Sequence, residues 1–316
     1  MKVRIAHLSD LHYHFRSTLK EVMSKRILGL ANLYIKGRVH HFDPGVAAAA
    51  IQSVVSDAPD AVAITGDLTA LATSREFELA RQALDPILSQ FPTFIIPGNH
   101  DVYTRGSVHS HRMETWFGPW LKGDTSELIY PTHHRIGPVT VWGMNPCRAT
   151  VGSSGLIQED ELERLKALLV TPRSPQEFRM LMIHYPLLDF RGQVVNKWTR
   201  RLNNRDQLVR ALAQNPVDLV IHGHDHLRYH NRLTADDGRT IYVANAGSAA
   251  FALREGVPIS GTYNLYEIED GILTRVIHKD YTADGFVVTW DGPPPPTGPY
   301  FRVGSTEGRG LKESYV

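Results

Sequence analysis

Five short polar clusters, each directly after an apolar run, constrain this chain more than any other feature. They are Asp10-Leu-His12, Gly66-Asp67, Gly98-Asn99-His100-Asp101, the isolated His184, and Gly223-His224-Asp225-His226. The runs before them predict buried strands at Val3–Leu8, Ala61–Thr65, Thr93–Ile96, Met180–Ile183 and Asp218–Ile221. Helix signals fall between the strands. Asp43-Pro44 reads as an N-cap with proline in the first turn, and Thr73-Ser-Arg-Glu76 as a capping box. Further helices are expected over Gln158–Leu169 and Asp206–Ala213. From Thr240 onward the pattern is strands alone, at Ile241–Ala244, Tyr263–Glu267 and Leu273–Ile277. This alternation predicts an α/β fold, and α/β folds place their ligands at the carboxyl ends of strands.

The spacing inside the clusters carries chemistry. Residues i and i+2 of an extended chain point to one side, so Asp10 with His12, and His224 with His226, are expected to aim as pairs. Glycines before Asp67, Asn99 and His224 let the backbone turn sharply off each strand. Each cluster alone is weak, because Asp-x-His and Gly-Asp also occur in ordinary turns. Their joint occurrence on successive strand exits is the signal.

Composition narrows the metal chemistry. The chain has 16 histidines and one cysteine, Cys147, which excludes an intramolecular disulfide and any cysteine-built metal cage. A metal site must therefore use imidazole, carboxylate and amide groups. Basic and acidic residues number 34 and 33 for a formal charge of +1, so nothing global selects a nucleic-acid partner, and no DNA-binding module is evident. Hydrophobic residues at 42% and charged residues at 21% exclude a wholly disordered chain. The opening MKVRIAHLSD is too polar for a signal peptide, and no run approaches the roughly 20 apolar residues of a membrane span. The expected location is cytoplasmic.

In this order the clusters resemble the calcineurin-like metallophosphoesterase superfamily, over roughly residues 1–270. The resemblance implies a four-layer α/β fold, a central sandwich of two mixed β-sheets flanked by α-helices. It also implies a dinuclear centre. One metal would be held by Asp10, His12 and His226, the other by Asn99, His184 and His224, with Asp67 bridging through both carboxylate oxygens. The donor set, rich in imidazole and without thiolate, suits manganese, iron or zinc better than calcium.

The mechanism implied is two-metal hydrolysis, in which a bridging water acidified toward neutral pH attacks phosphorus in line. His100 is the candidate general acid for the leaving oxygen, and Asn99 and His100 are the candidate substrate contacts. Many relatives carry an acidic or amide residue three positions after the Gly-Asp aspartate, where it orients this histidine. Here that position is Ala70, so Asp101 or another group must take the part. His7, His14 and His222 are read as supporting or surface residues, and the Asn245-Ala-Gly-Ser248 turn is given no role.

Within the superfamily the chain resembles the class III cyclic nucleotide phosphodiesterase group, which implies a phosphodiesterase with a 3′,5′-cyclic nucleotide as leading substrate. The alternatives are a UDP-2,3-diacylglucosamine pyrophosphohydrolase-like enzyme, a nuclease, or a scaffold that has lost its metals. The lipid alternative rests on residues 16–41, where six basic residues face Glu21 alone, and where Leu19, Met23, Ile27, Leu30 and Tyr34 share one helical face. Such a segment suits a peripheral contact with the inner membrane or a lipid substrate, or packs as a surface helix. The expected domain spans 1–285, followed by a proline-rich tail over 286–316.

Overall fold

The computed structural model describes residues 1–15, 41–103, 105–149 and 153–301. The proposed basic helix over 16–41 therefore lies, except for His41, outside the described residues. No described helix is long and apolar enough to cross a membrane.

Strands β1 (Lys2–Leu8), β2 (Ala61–Ile64) and β3 (Thr93–Ile95) run parallel in a six-stranded sheet. The sheet is completed by antiparallel β10 (Thr262–Glu269), β11 (Ile272–Thr282) and β12 (Gly285–Gly292), in the order β12-β11-β10-β1-β2-β3. A seven-stranded sheet has the order β13-β8-β9-β7-β6-β5-β4. Its members are β4 (Thr132–Ile136), β5 (Val139–Gly143), β6 (Phe178–Met182), β7 (Leu219–His222), β8 (Arg228–Thr234), β9 (Thr240–Ala246) and β13 (Gly298–Pro299). Strands β5, β6, β7 and β9 are parallel, while β4 and β8 are antiparallel to their neighbours. Both sheets are mixed.

Alternation along each strand explains the layering. Val3 and Ile5 of β1 face the second sheet, meeting Val141, Met180 and Ile221 in a core between the sheets. Ala6 and Leu8, on the other face, pack against helices α1 (Pro44–Asp57), α2 (Ser74–Leu88) and α4 (Arg112–Lys122). On the far side, Leu181, Ile183 and Val220 pack against α5 (Glu159–Leu169) and α6 (Arg205–Gln214). A short α3 (Arg105–His109) precedes α4. The result is helices, sheet, sheet, helices, the four layers the resemblance implies.

Local signals account for two helix starts. The Asp43 carboxylate accepts the Gly45 N–H at 2.7 Å, with Pro44 in the first turn. The Thr73 hydroxyl accepts the Glu76 N–H at 3.2 Å, and the Glu76 carboxylate accepts the Thr73 N–H at 3.0 Å. Residues 286–292, assigned to the tail on sequence, instead make up most of β12. The prolines follow at 293–296, between two edge strands, where a missing N–H costs no ladder bond.

Candidate metal centre

All five clusters leave strands at the same end of the sandwich. Asp10, His12, Asp67 and Asn99 follow β1, β2 and β3 of the six-stranded sheet. His184, His224 and His226 follow β6 and β7 of the seven-stranded sheet. All seven are buried, the most exposed being His226 at 8%.

The backbone that aims them is not extended. Asp10, His12, Asp67 and His224 have φ values of 55°, 48°, 55° and 73°, in the left-handed region. Asp, Asn and His tolerate this region better than most residues, and each such residue costs on the order of 1–3 kcal/mol unless its surroundings enforce it. Here they do. Asp10 N–H donates to Gly66 O at 3.0 Å, and His12 N–H to Asp67 O at 2.9 Å. The left-handed turns, rather than a same-side strand geometry, bring Asp10 and His12 together. His224 and His226 part company, joining different groups.

Two groups of donor atoms result, each with its ligand atoms within 4.8 Å of one another. One is Asp10, His12 and His226, and the other Asp67, His184 and His224. Asn99 Oδ1 joins the second, 2.8 Å from His224 Nδ1 and 3.1 Å from His184 Nε2. Asp67 Oδ2 lies 3.7 Å from His12 Nε2 and 3.4 Å from His184 Nε2, so it faces both groups. Asp67 Oδ1 accepts the His100 N–H at 2.8 Å. Oδ2 is the oxygen that faces both groups, while Oδ1 meets the backbone of the Asn99-His100 turn. A third group joins His12 and Asp67 to His100.

Ionisation states follow from this geometry. Burial opposes the Asp10 charge, but the His12 and His226 imidazoles outweigh it and hold the carboxyl well below its ordinary value. Burial also opposes ionisation of Asp67, and His184 and His100 hold it low. Burial keeps His12 and His224 down, in the neutral form a cation requires. Burial acts on His184 too, but the Asp67 carboxylate outweighs it and raises the ring to about 9, so a cation held there would displace a proton from this imidazole. Buried Asp10 Oδ1 has no hydrogen-bond partner, and imidazole nitrogens of His12 and His226 face each other at 3.2 Å. Ionised carboxylates, facing imidazoles and an unsatisfied buried carboxylate oxygen fit two cations of borderline softness.

Supporting residues fix these ligands. The His184 Nδ1–H donates to Thr65 O at 2.7 Å, which turns Nε2 toward Asn99 and Asp67. Ser248, given no role on sequence, donates its hydroxyl to Asp10 O at 2.7 Å. Asn245 donates to Gly223 O at 2.8 Å and accepts from Gly247 N–H at 2.7 Å. A Cβ on Gly223 would collide with Asp10 and Ser9, and one on Gly98 with Asp67, so both glycines permit close approach. His7 is fully buried between Thr65 and Tyr266, while His14 sits at the margin, its Nδ1 3.4 Å from His12 O.

His100 Nδ1 lies 2.7 Å from Ala70 O. Asp101 makes a different set of contacts, accepting from Leu68 N–H at 3.2 Å, Thr69 N–H at 2.9 Å, the Thr69 hydroxyl at 3.0 Å and Gly98 N–H at 3.0 Å. It ties the Asp67 turn to the Asn99 turn. Burial and the Asp67 charge push the Asp101 carboxyl up to about 7.

A cleft of about 100 Å³ opens over the two groups, and His100, Phe42, Ser153 and Arg200 line it with the ligand candidates. A larger cleft of about 830 Å³ holds Asp101, Cys147 and Glu161 but none of the seven. The small cleft is the one that opens on the candidate ligands.

The sequence model of the calcineurin-like phosphoesterases matches residues 3–228. No curated protein matches by sequence. Among solved structures, a dimetal phosphatase from Danio rerio superposes with a TM-score of 0.57 at 15% identity, covering 92% of this chain and 97% of its own. A purple acid phosphatase from yellow lupin seeds superposes with a TM-score of 0.61 at 12% identity, covering 92% of this chain and 53% of its own. These likenesses describe the fold. With the family match spanning most of the chain and the five clusters converging at one end of the sandwich, the chain belongs to the calcineurin-like phosphoesterase family, a metal-dependent phosphoric ester hydrolase.

Proposed function

We propose that this chain hydrolyses a small phosphodiester, with a 3′,5′-cyclic nucleotide the first substrate to test. The observation that carries the reading is Asp67 Oδ2, which faces both donor groups beneath a cleft lined by His100. Asp10, His12 and His226 would hold one cation, and Asn99, His184 and His224 the other, with Asp67 shared. Bound there, two cations supply acidification of water and neutralisation of phosphoryl charge. With the imidazoles neutral as ligands, Asp10 and Asp67 are the charged members of the set, so two divalent ions keep a net positive charge that suits a singly charged diester.

His100 supplies the proton. Carbonyl oxygen only accepts, so Nδ1 is protonated against Ala70 O in either charge state, and Nε2 is the nitrogen that exchanges a proton with the leaving oxygen. The Asp67 contact to the His100 N–H fixes the ring's starting point above the donors.

The test is a panel of bis-p-nitrophenyl phosphate, p-nitrophenyl phosphate and cyclic AMP, assayed with metal-stripped protein before and after addition of Mn²⁺. The reading requires hydrolysis of a diester that appears only with metal. Cleavage of the monoester alone would move the substrate class, and no cleavage of any ester would remove the reading.

A further inference from the structure

Arg200 stands out among the cleft residues because it follows no strand and belongs to none of the five clusters. It sits in a turn closed by Arg200 N–H and Arg201 N–H donating to Lys197 O at 2.8 and 3.1 Å. Neighbouring backbone is tied to a second segment, where Ser153 N–H donates to Thr199 O at 2.7 Å and Gly155 N–H to Arg201 O at 2.9 Å. The turn is therefore held in place, and its side chain reaches the cleft shared with Asp67, Asn99 and His224.

The partner of Arg200 is Asp225, the residue between the two histidines of the Gly223-His224-Asp225-His226 cluster. Arg200 Nη2 donates to Asp225 Oδ1 at 3.0 Å and lies 3.5 Å from His224 O. The Tyr229 hydroxyl lies 2.8 Å from Asp225 Oδ2 and 3.0 Å from Leu188 O, so the second carboxylate oxygen is already engaged. Asp225 and Tyr229 are both buried. Asp225 thus meets the guanidinium through one oxygen.

A guanidinium beside two cations is electrostatically unfavourable unless an anion joins it. The Asp225 carboxylate meets part of that charge through one oxygen, and a phosphoryl group in the cleft would add to that. A planar fork matches phosphate oxygens better than any other side chain. His100 borders His12, with ring centroids 4.9 Å apart, whereas Arg200 borders the His224 backbone. Proton donor and guanidinium therefore approach the cleft from different ligands.

We propose that Arg200 binds a phosphoryl oxygen of the substrate, and that Asp225 positions its guanidinium for this contact. The proposal rests on the reading of the cleft as a phosphoester site.

The experiment uses Mn²⁺-loaded full-length protein, inorganic phosphate as the calorimetric probe and bis-p-nitrophenyl phosphate as substrate. Arg200→Ala should retain wild-type metal content and bind phosphate about 10- to 100-fold more weakly, the loss expected for one charge-assisted hydrogen bond. KM should rise in the same range, with kcat changing less. Arg200→Lys keeps the charge but not the fork and should recover part of both. Asp225→Asn should shift phosphate affinity and KM in the same direction by a smaller factor, with metal content unchanged. Wild-type phosphate affinity and KM in Arg200→Ala would overturn the proposal while leaving the hydrolase reading intact. If the alanine variant does not fold, Arg200→Lys decides by the same two measurements. Arg200-dependent phosphate binding in a protein that cleaves no ester would support the contact and remove the hydrolase reading. Absence of phosphate binding to a wild type that cleaves the diester, with KM unchanged in Arg200→Ala, would overturn the proposal alone.

Discussion

The Nδ1 of His100 lies 2.7 Å from the backbone carbonyl of Ala70, so a main-chain oxygen does the orienting that a side chain does in many relatives. A carbonyl is insensitive to the residue that carries it, which is why alanine suffices at position 70. The orientation makes His100 testable as an acid. His100→Asn should keep wild-type metal content and lower kcat on poor leaving groups by about 10²–10⁴-fold. The loss should shrink for p-nitrophenyl esters, which leave without much help from a proton. Equal losses on good and poor leaving groups would contradict the acid role.

Asp67 offers one oxygen to both donor groups and the other to the His100 N–H. Asp67→Asn retains an acceptor for that N–H but removes the shared negative charge. Metal content by elemental analysis should fall from two ions per chain to one or fewer, and turnover should be nearly lost. Two tightly held ions in the variant would show that Asp67 does not bridge.

Asp101 accepts four hydrogen bonds from two turns that are distant in sequence. Asp101→Ala strands buried donors, each worth on the order of 1–3 kcal/mol. Destabilisation of at least ~3 kcal/mol is expected in urea unfolding of the metal-free protein, where ligand effects are absent. A loss below about 1 kcal/mol would mean that the turns hold without it.

Glu161 is a pH probe outside the ligand set. Burial raises its carboxyl to about 7, against the opposing Asn145 N–H and Arg148 charge. Its folded pKa lies above the unfolded 4.5, so the folded state binds the proton more tightly. That contribution is complete below pH 4.5 and disappears as pH rises through 7. Glu161→Gln removes the titration. Relative to the variant, wild type should lose on the order of 3 kcal/mol between pH 4.5 and 8. A constant difference at pH 5 and pH 8 would show that Glu161 titrates normally.

The strands that carry ligands were legible because apolar runs stop abruptly at polar clusters. Helix α4 was not, since Gly118 and Pro119 lie inside it and read as breakers. Strand β8 was hidden by its polar residues, two of which find partners across the sandwich. Arg228 donates to Asp280 at 2.5 Å, and His230 Nε2 lies 2.8 Å from His278 Nε2, both partners on β11. The same limit applies at the site. Asp10 and Ser248 meet across 238 residues and His100 and Ala70 across 30, through main-chain oxygens that no side-chain pattern records. Arg200 was missed because its one signal, an aspartate between two histidines, acquires meaning only when the 197–200 turn is in place.

The two groups that Asp67 faces each draw from both sheets, Asp10 and His12 from one against His226 of the other, and Asp67 with Asn99 against His184 and His224. Neither half of the sandwich can assemble either of these two alone. Cations gripped there would act as a clasp across the seam, resisting any sliding or splaying of one sheet against the other. The affinity for metal then becomes a gauge of how well the two halves are docked, and a lesion deep in the core between them would be felt first as a looser hold on the ions.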